Sequence, residues 1–359
     1  MDIRMLDNND APKAKALWKQ AFGDSDAFTG TYFENKLRLG QTGASDEPAR
    51  WNEAVVGESI GLFDGGDLVS VVHMLPYAVR VQGRPLKSAY IAGAATDKAR
   101  RGEGLMKKML RVSLEWMRNK GVLMTHLYPF KHSFYEKFGW ATYSYVEKVS
   151  AAGAGAAADI IETRDSRLLH TMYHNMTREL DGYVVRDARM WRWRLSELFS
   201  DGGKAYVLLK EGVPAAYMMA YDDDGRAEAV ETVYACEADA GVLADGLLAR
   251  GYSEVRYNLS AKSAAFAPHG MARIVDAAAL LKEFGAEDAL ESVRVTDAFA
   301  PWNNTGSPNA PYSVEIAAFA KIAHGDWNLP GIGDRRQAVL INAFGSVFRK
   351  RDACIFEEY

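Results

Sequence analysis

Cysteine is nearly absent: Cys236 and Cys354 are the only two in 359 residues. So few thiols leave no disulfide framework, and without a Cys-x-x-Cys pair a cysteine-based zinc site is excluded. No apolar run approaches the ~20 residues that a membrane-spanning helix needs. The opening stretch MDIRMLDNND has no apolar segment after its charges and does not read as a secretory signal. An excess of one charge sign is missing too. The 43 basic residues face 47 acidic ones, for a formal net charge of −4, and the longest basic run is Arg349-Lys350-Arg351. A broad positive face for nucleic acid is therefore not expected, nor is a membrane partner. The default expectation is a reducing, cytoplasmic setting. What remains is ordinary globular composition, 48% hydrophobic and 25% charged, in a chain long enough for two or three domains at roughly 100–200 residues each.

Residues 11–21 read as an amphipathic helix ending near Phe22-Gly23-Asp24. A hairpin follows, with apolar β-branched runs on either side of Asp64-Gly65-Gly66-Asp67. After Gln82-Gly83-Arg84-Pro85 the run LKSAYIAGAAT reads as a buried strand. The segment LMKKMLRVSLEWMRNKG has one wide apolar stripe through Leu105, Met109, Val112 and Trp116, and Gly121 stops it, so it is expected to be a helix. VLMTHLYPF is the next strand, and HSFYEKFGWATYSYVEKVS a short helix, a glycine turn and a returning strand. Residues 151–158 (AAGAGAAA) read as a linker. From about 160 the order helix, hairpin, strand, helix, strand recurs without a glycine-rich turn. A duplicated fold whose second copy lost its ligand loop is one explanation, and chance recurrence of a short α+β pattern is the other. From about 271 the pattern changes: LESVRVTDAFAPWNN and PYSVEIAAFAKIAH are expected as strands of an antiparallel layer, and RQAVLINAFGSVFRK as a helix. The boundaries expected are 1–150, 151–280 and 281–359.

Between the buried strand and its helix lies Arg100-Arg101-Gly102-Glu103-Gly104. Glycines let the backbone approach a ligand, helix N-terminal N–H groups point outward unpaired, and the helix dipole favours an anion there. Arg100 and Arg101 add charge-assisted donors, with Lys107 and Lys108 one turn on. A P-loop is excluded because GxxxxGK[ST] is absent, and a dinucleotide fingerprint lacks its third glycine. His170 and His174 have the i, i+4 spacing of a zinc pair, but no HExxH and no third ligand accompany them, so no metal is expected.

Ala92-Gly93-Ala94-Ala95-Thr96, the turn Arg101-Gly102-Glu103-Gly104-Leu105-Met106 and Phe134-Tyr135-Glu136-Lys137-Phe138-Gly139-Trp140 together resemble the GNAT superfamily of acyl-CoA-dependent N-acetyltransferases. The family turn is Gln/Arg-x-x-Gly-x-Gly/Ala; Met106 departs from it. That departure, the FYEKFGW segment, the DAFAPWNN run and an aromatic C-terminal residue resemble the Eis-like acetyltransferases. The resemblance implies an α+β fold with tandem GNAT domains: a catalytic one over 1–150, a degenerate one over 151–280, and a sterol-carrier-protein-like (SCP2-like) domain over 281–359. It implies acetyl-CoA as co-substrate, a small-molecule amine such as an aminoglycoside, polyamine or lysine-like group as acceptor, and self-association into a hexamer. Ala94, Ala95 and Thr96 would pair with the pantetheine arm. Arg101, Gly102, Glu103, Gly104, Leu105, Met106 and Lys107 would cradle the diphosphate, with the Glu103 side chain turned to solvent. Tyr135 would be the general acid, although its place between Phe134 and Phe138 also suits a structural tyrosine. The C-terminal carboxylate of Tyr359 would be the general base. Glu357 and Glu358, and more weakly Asp24 and Asp26, would hold a cationic acceptor. The rival expectation is a non-catalytic ligand- or lipid-binding protein on the same scaffold, which Met106 favours slightly.

Overall fold

The computed structural model describes residues 1–22, 59–261, 267–329 and 331–349. In chain order the strands are β1 Asp2–Met5, β2 Ser59–Asp64, β3 Asp67–Val81, β4 Arg84–Thr96, β5 Met124–Leu127, β6 Ala141–Thr142, β7 Tyr145–Ala152, β8 Ile160–Thr163, β9 Lys204–Lys210, β10 Val213–Asp223, β11 Arg226–Tyr234, β12 Glu254–Ala261, β13 Ala267–Pro268, β14 Met271–Ile274, β15 Val293–Thr296 and β16 Tyr312–Glu315. The helices are α1 Ala11–Phe22, α2 Leu105–Asn119, α3 His132–Tyr135, α4 Ser166–Thr177, α5 Ala188–Ser200, α6 Glu237–Ala249, α7 Ala277–Phe284, α8 Ile316–Ala323 and α9 Asp334–Phe344.

Contacts divide the described residues into two compact units. One combines those of 1–78 and 86–142 with 271–349; the other combines 79–85 with those of 143–270. The segment from 281 onward, expected as a separate domain, thus packs within the first unit as far as it is described.

The first unit is built on a sheet with strand order β1-β2-β3-β4-β5-β14-β6 among the described residues. The Gly65-Gly66 turn joins β2 and β3 as an antiparallel hairpin, both glycines lying at positive φ where such a turn needs them. β4 and β5 are parallel, with α2 as the crossover. α2 buries Leu105, Met109, Leu110, Leu114 and Met117; of the stripe expected in the sequence, Leu105 and Met109 are buried, while Val112 and Trp116 are only half-buried, so the inward face is turned round the helix from the one expected.

The second unit repeats this order. Its sheet runs β13-β7-β12-β11-β10-β9-β8, with β11 and β12 parallel around α6. Alternation along β10 splits its core in two. Met218 packs in a cluster with Leu243 and Leu247 of α6, while Tyr217 and Met219 pack with Leu169, Trp191 and Leu195 of α4 and α5.

Three expectations are corrected. PYSVEIAAFAKIAH is strand only over Tyr312–Glu315 and then helix over Ile316–Ala323. The buried residues Ile316, Phe319, Ala320 and Ala323 fall at i, i+3, i+4 and i+7, and alanine favours a helix. In the other segment the strand stops at Thr296, because the Asp297 carboxylate takes the N–H groups of Phe299 and Ala300. The pair β15/β16 is parallel, not antiparallel.

Candidate active site

β4 pairs with β5 only through Ser88–Ile91, yet β4 continues to Thr96. Residues 92–96 therefore run on past the end of β5, and Gly93 kinks the strand at φ +56. The sheet opens at this point. Asp97 caps the following turn by accepting the Ala99 N–H at 2.8 Å. Gly102 and Gly104 then adopt φ +88 and +78 with open space where a side chain would stand, and α2 starts at Leu105 without a side-chain cap or an acidic residue in its first turn. The bare N–H groups and the dipole make this end receptive to an anion.

A cleft of about 1000 Å³ opens here. Of the residues singled out in the sequence, Ala94, Ala95, Thr96, Arg101, Gly102, Gly104, Leu105, Met106, Lys107 and Tyr135 all line it. Glu103 does not. Its carboxylate accepts from Arg100 Nε at 2.8 Å, and Arg100 Nη1 reaches Asp64 at 2.9 Å. The hydrogen bond from Arg100 holds the Glu103 carboxyl below its ordinary value. Arg100 is thus matched by two carboxylates, leaving Arg101, Lys107, Arg111 and Lys137 as the other cations on the cleft wall, with no acid among the described lining residues. Asp24, Glu357, Glu358 and Tyr359, with Asp26, lie outside the described residues.

Another part of the lining is aromatic. Tyr135 is 4% exposed; its ring meets Phe134, Phe130 and Trp140 edge-on at 5.1, 5.7 and 6.1 Å. Burial pushes its phenol up. Phe130, 74% exposed, stands at the cleft. Phe138 packs on Phe299 at 5.0 Å, and Ala298 and Phe299 line the cleft as well. In the sequence DAFAPWNN reads as strand and as a family marker, and its contribution to the cleft is not foreseen. The available signal was Asp297, an Asx-turn residue that fixes the loop. Asp297 also accepts from the wholly buried Arg273 at 2.7 Å and from Asn303 at 2.9 Å. The Arg273 guanidinium lies over Trp140 and Phe299, at 5.3 and 5.6 Å, and burial lowers its pKa. Gly139 closes the turn after Phe138 at φ +84, where a Cβ would come within 2.5 Å of Arg273 Nη1.

The matching place in the second unit is built differently. β11 pairs with β12 only at Arg226–Glu228, but the gap beyond is bridged by Ser260 N–H donating to the Tyr234 hydroxyl at 3.1 Å. The first turn of α6 carries Glu237 and Asp239, and Asp239 accepts the Cys236 N–H at 3.3 Å. A carboxylate thus occupies the helix end that the first unit leaves bare, which repels phosphate. His170 and His174 stack at 6.4 Å, and no group of three or more possible metal ligands exists among the described residues. No described helix is long and apolar enough to cross a membrane.

Residues 2–143 match the family profile of the acetyltransferase (GNAT) domain. A search of curated proteins finds no match. Among solved structures, a probable N-acyltransferase from Enterococcus faecalis is 17% identical, with 100% of this chain and 99% of that one covered and a TM-score of 0.72. A GCN5-related N-acetyltransferase from Kribbella flavida is 16% identical, covers 100% and 98%, and has a TM-score of 0.71. Eis1 from Mycobacterium abscessus is 16% identical, covers 100% of both chains and has a TM-score of 0.64. These likenesses are of fold, and they extend the tandem GNAT-like architecture over the whole chain. Enzymes of this superfamily use acetyl-CoA and act on small-molecule acceptors. The profile match falls on the domain that holds the cleft and makes residues 2–143 an acetyltransferase (GNAT) domain.

Proposed function

We propose that this chain moves an acetyl group from acetyl-CoA to a primary amine of a small molecule, an aminoglycoside, polyamine or lysine-like compound, by direct attack in a ternary complex. The observation that carries this reading is the Arg101–Gly104 turn at a bare helix end beside an opened sheet. Its backbone N–H groups would hold the diphosphate, and Arg101, Lys107, Arg111 and Lys137 would balance the phosphate charge. Ala94, Ala95 and Thr96 would hold the pantetheine arm as a strand edge holds a peptide.

A primary amine has a pKa near ~10.4 and must lose a proton before attack. The Tyr359 carboxylate, assigned by the family resemblance, takes it. The nitrogen lone pair then forms the C–N bond, the C–S bond breaks, and the thiolate leaves. Tyr135 donates to that sulphur. Because burial pushes its phenol up, it remains protonated at neutral pH. It acts chiefly as a hydrogen-bond donor while charge builds on sulphur, with transfer late and reprotonation from solvent. Glu358 and Asp24 would attract the cationic acceptor. By the same resemblance the chain would be an Eis-like hexamer whose residues 281–359 have an SCP2-like fold; the scarcity of cysteine supports a reducing, cytoplasmic setting.

Met106 on the cleft wall, where the family has glycine or alanine, favours a second reading, a ligand-binding protein on this scaffold. Calorimetry with acetyl-CoA and an assay of CoA release with a panel of amines separate the two. Heat on binding together with amine-dependent CoA release supports the transferase. Absence of heat at millimolar cofactor favours the scaffold.

A further inference from the structure

At Gly93 the β4 backbone turns to φ +56. A residue kinked this way cannot keep both its N–H and its C=O in the ladder of an extended strand, and a buried carbonyl left over needs a partner. The partner comes from another element. The indole N–H of Trp18, on α1, donates to the Gly93 carbonyl at 2.6 Å in a buried contact. Trp18 is 1% exposed. Its ring is seated by packing: Ala14 and Leu17 are buried beside it on α1, and its edge meets His73 at 6.3 Å. His73 in turn is held by Ser59 at 2.7 Å. The donor is thus placed by the core, independently of the bond it makes.

Two residues further on, Ser70 Oγ of β3 donates to the Ala95 carbonyl at 3.0 Å and lies 2.9 Å from the Thr96 hydroxyl. At Asp97 the backbone pairs again, its N–H reaching the Val69 carbonyl at 3.0 Å. Between Ile91, where β5 pairing stops, and Asp97, the carbonyls of Gly93 and Ala95 are therefore both taken by side chains. Ala94, Ala95 and Thr96 are the strand residues that line the cleft.

We propose that Trp18 is a positioning residue for acyl transfer: its indole N–H clamps the kinked Gly93 carbonyl and so fixes the direction in which the Ala94–Thr96 backbone faces the thioester. This rests on the acetyl-transfer reading. The diphosphate turn has its own supports, the Asp97 cap and the Arg100 ion pairs. Loss of the clamp should therefore reach the acyl end of the donor and spare its phosphate end.

The test replaces Trp18 in the full chain with benzothienylalanine, an isostere that carries sulphur where the indole has N–H and keeps the packing shape. Trp18→Phe serves as a second variant. Without the clamp, amide hydrogen exchange over residues 92–97 should speed up, kcat should fall and the Kd for CoA should barely move. The exchange and kcat changes should each be about tenfold, the effect of one lost hydrogen bond. Wild-type exchange and kcat in the isostere variant would overturn the proposal. So would an equal loss of CoA affinity and kcat, which marks general damage. If the wild-type chain turns over no amine, the proposed function fails. Exchange alone then judges the clamp, and unchanged protection in the variant overturns it.

Discussion

Tyr135 and Gly104 carry different parts of the proposed reaction, and single substitutions should separate them. Tyr135→Phe keeps a ring in the pocket formed by Phe130, Phe134 and Trp140 and removes only the phenolic donor. Loss of a general acid typically costs a factor of about 10²–10⁴. The expected outcome is a fall in kcat of that order with an unchanged Kd for CoA, and wild-type turnover in the variant would remove Tyr135 from the chemistry. Because its phenol titrates above the usual tyrosine range, deprotonation of Tyr135 should not inhibit the wild-type enzyme up to pH ~10. Gly104→Ala meets no steric obstacle, since nothing lies within 4 Å of the added Cβ. Its cost is conformational: φ +78 is left-handed and costs a non-glycine residue roughly 1–2 kcal/mol. A turn that relaxes away from this torsion re-aims its N–H groups. The KM for acetyl-CoA should rise about tenfold with little change in the KM for the amine, and steady-state kinetics varying each substrate in turn reads the difference.

The loop after β15 shows what an element can hide from its sequence. Asp297 holds that loop by four contacts, to Arg273, Asn303 and the N–H groups of Phe299 and Ala300, and so presses Phe299 onto Phe138 at the cleft. Asp297→Ala would leave the Arg273 guanidinium charged and uncompensated in the interior. Breaking such a buried pair from one side costs about 3–5 kcal/mol. Chemical denaturation should show a loss of that size, and a change under about 1 kcal/mol, the worth of an exposed pair, would refute the account. Local signals made the neighbouring elements legible: the Gly65-Gly66 turn announced its hairpin, the apolar periodicity after Leu105 its helix though not which face turns inward, and the glycines at 102 and 104 the mouth of the cleft. Phe299 was not legible in this way, because it reaches the cleft through the distant partners Arg273 and Phe138. Ile316–Ala323 reads as strand in the sequence because its short apolar run fits either period until burial shows which residues point inward.

At the scale of the whole molecule, the fold commits itself to neutral histidines. His126 of β5 and His324, just beyond α8, are both buried, with their Nε2 atoms 3.2 Å apart. Ser88 Oγ donates to the Met124 carbonyl at 3.0 Å, so at 2.8 Å it accepts from Nδ1–H of His126. That leaves Nε2 of His126 as the acceptor and makes His324 the donor across the pair. A proton added to His126 would set N–H against N–H. Burial pushes His324 down to about 3; burial, then the neighbouring His324, pushes His126 well below its ordinary value. In the unfolded chain both titrate near ~6.5. The stabilisation from keeping them neutral is therefore whole above pH ~6.5 and drains away as pH falls toward the folded values, at roughly 1.4 kcal/mol per pH unit for each histidine. Acid should weaken the protein well before its carboxylates protonate. Burial opposes ionisation of Glu231, but Arg186 and Arg194 outweigh it and hold that carboxyl down to about 2, so its own contribution declines only below about pH 4.3, the ordinary glutamate value. Denaturation midpoints at pH 7.5 and 5.0 should differ clearly in the wild type, and His324→Gln, which removes one of the two titrating groups, should flatten the slope between them. Equal stability at the two pH values would mean that the pair is not held neutral by the fold.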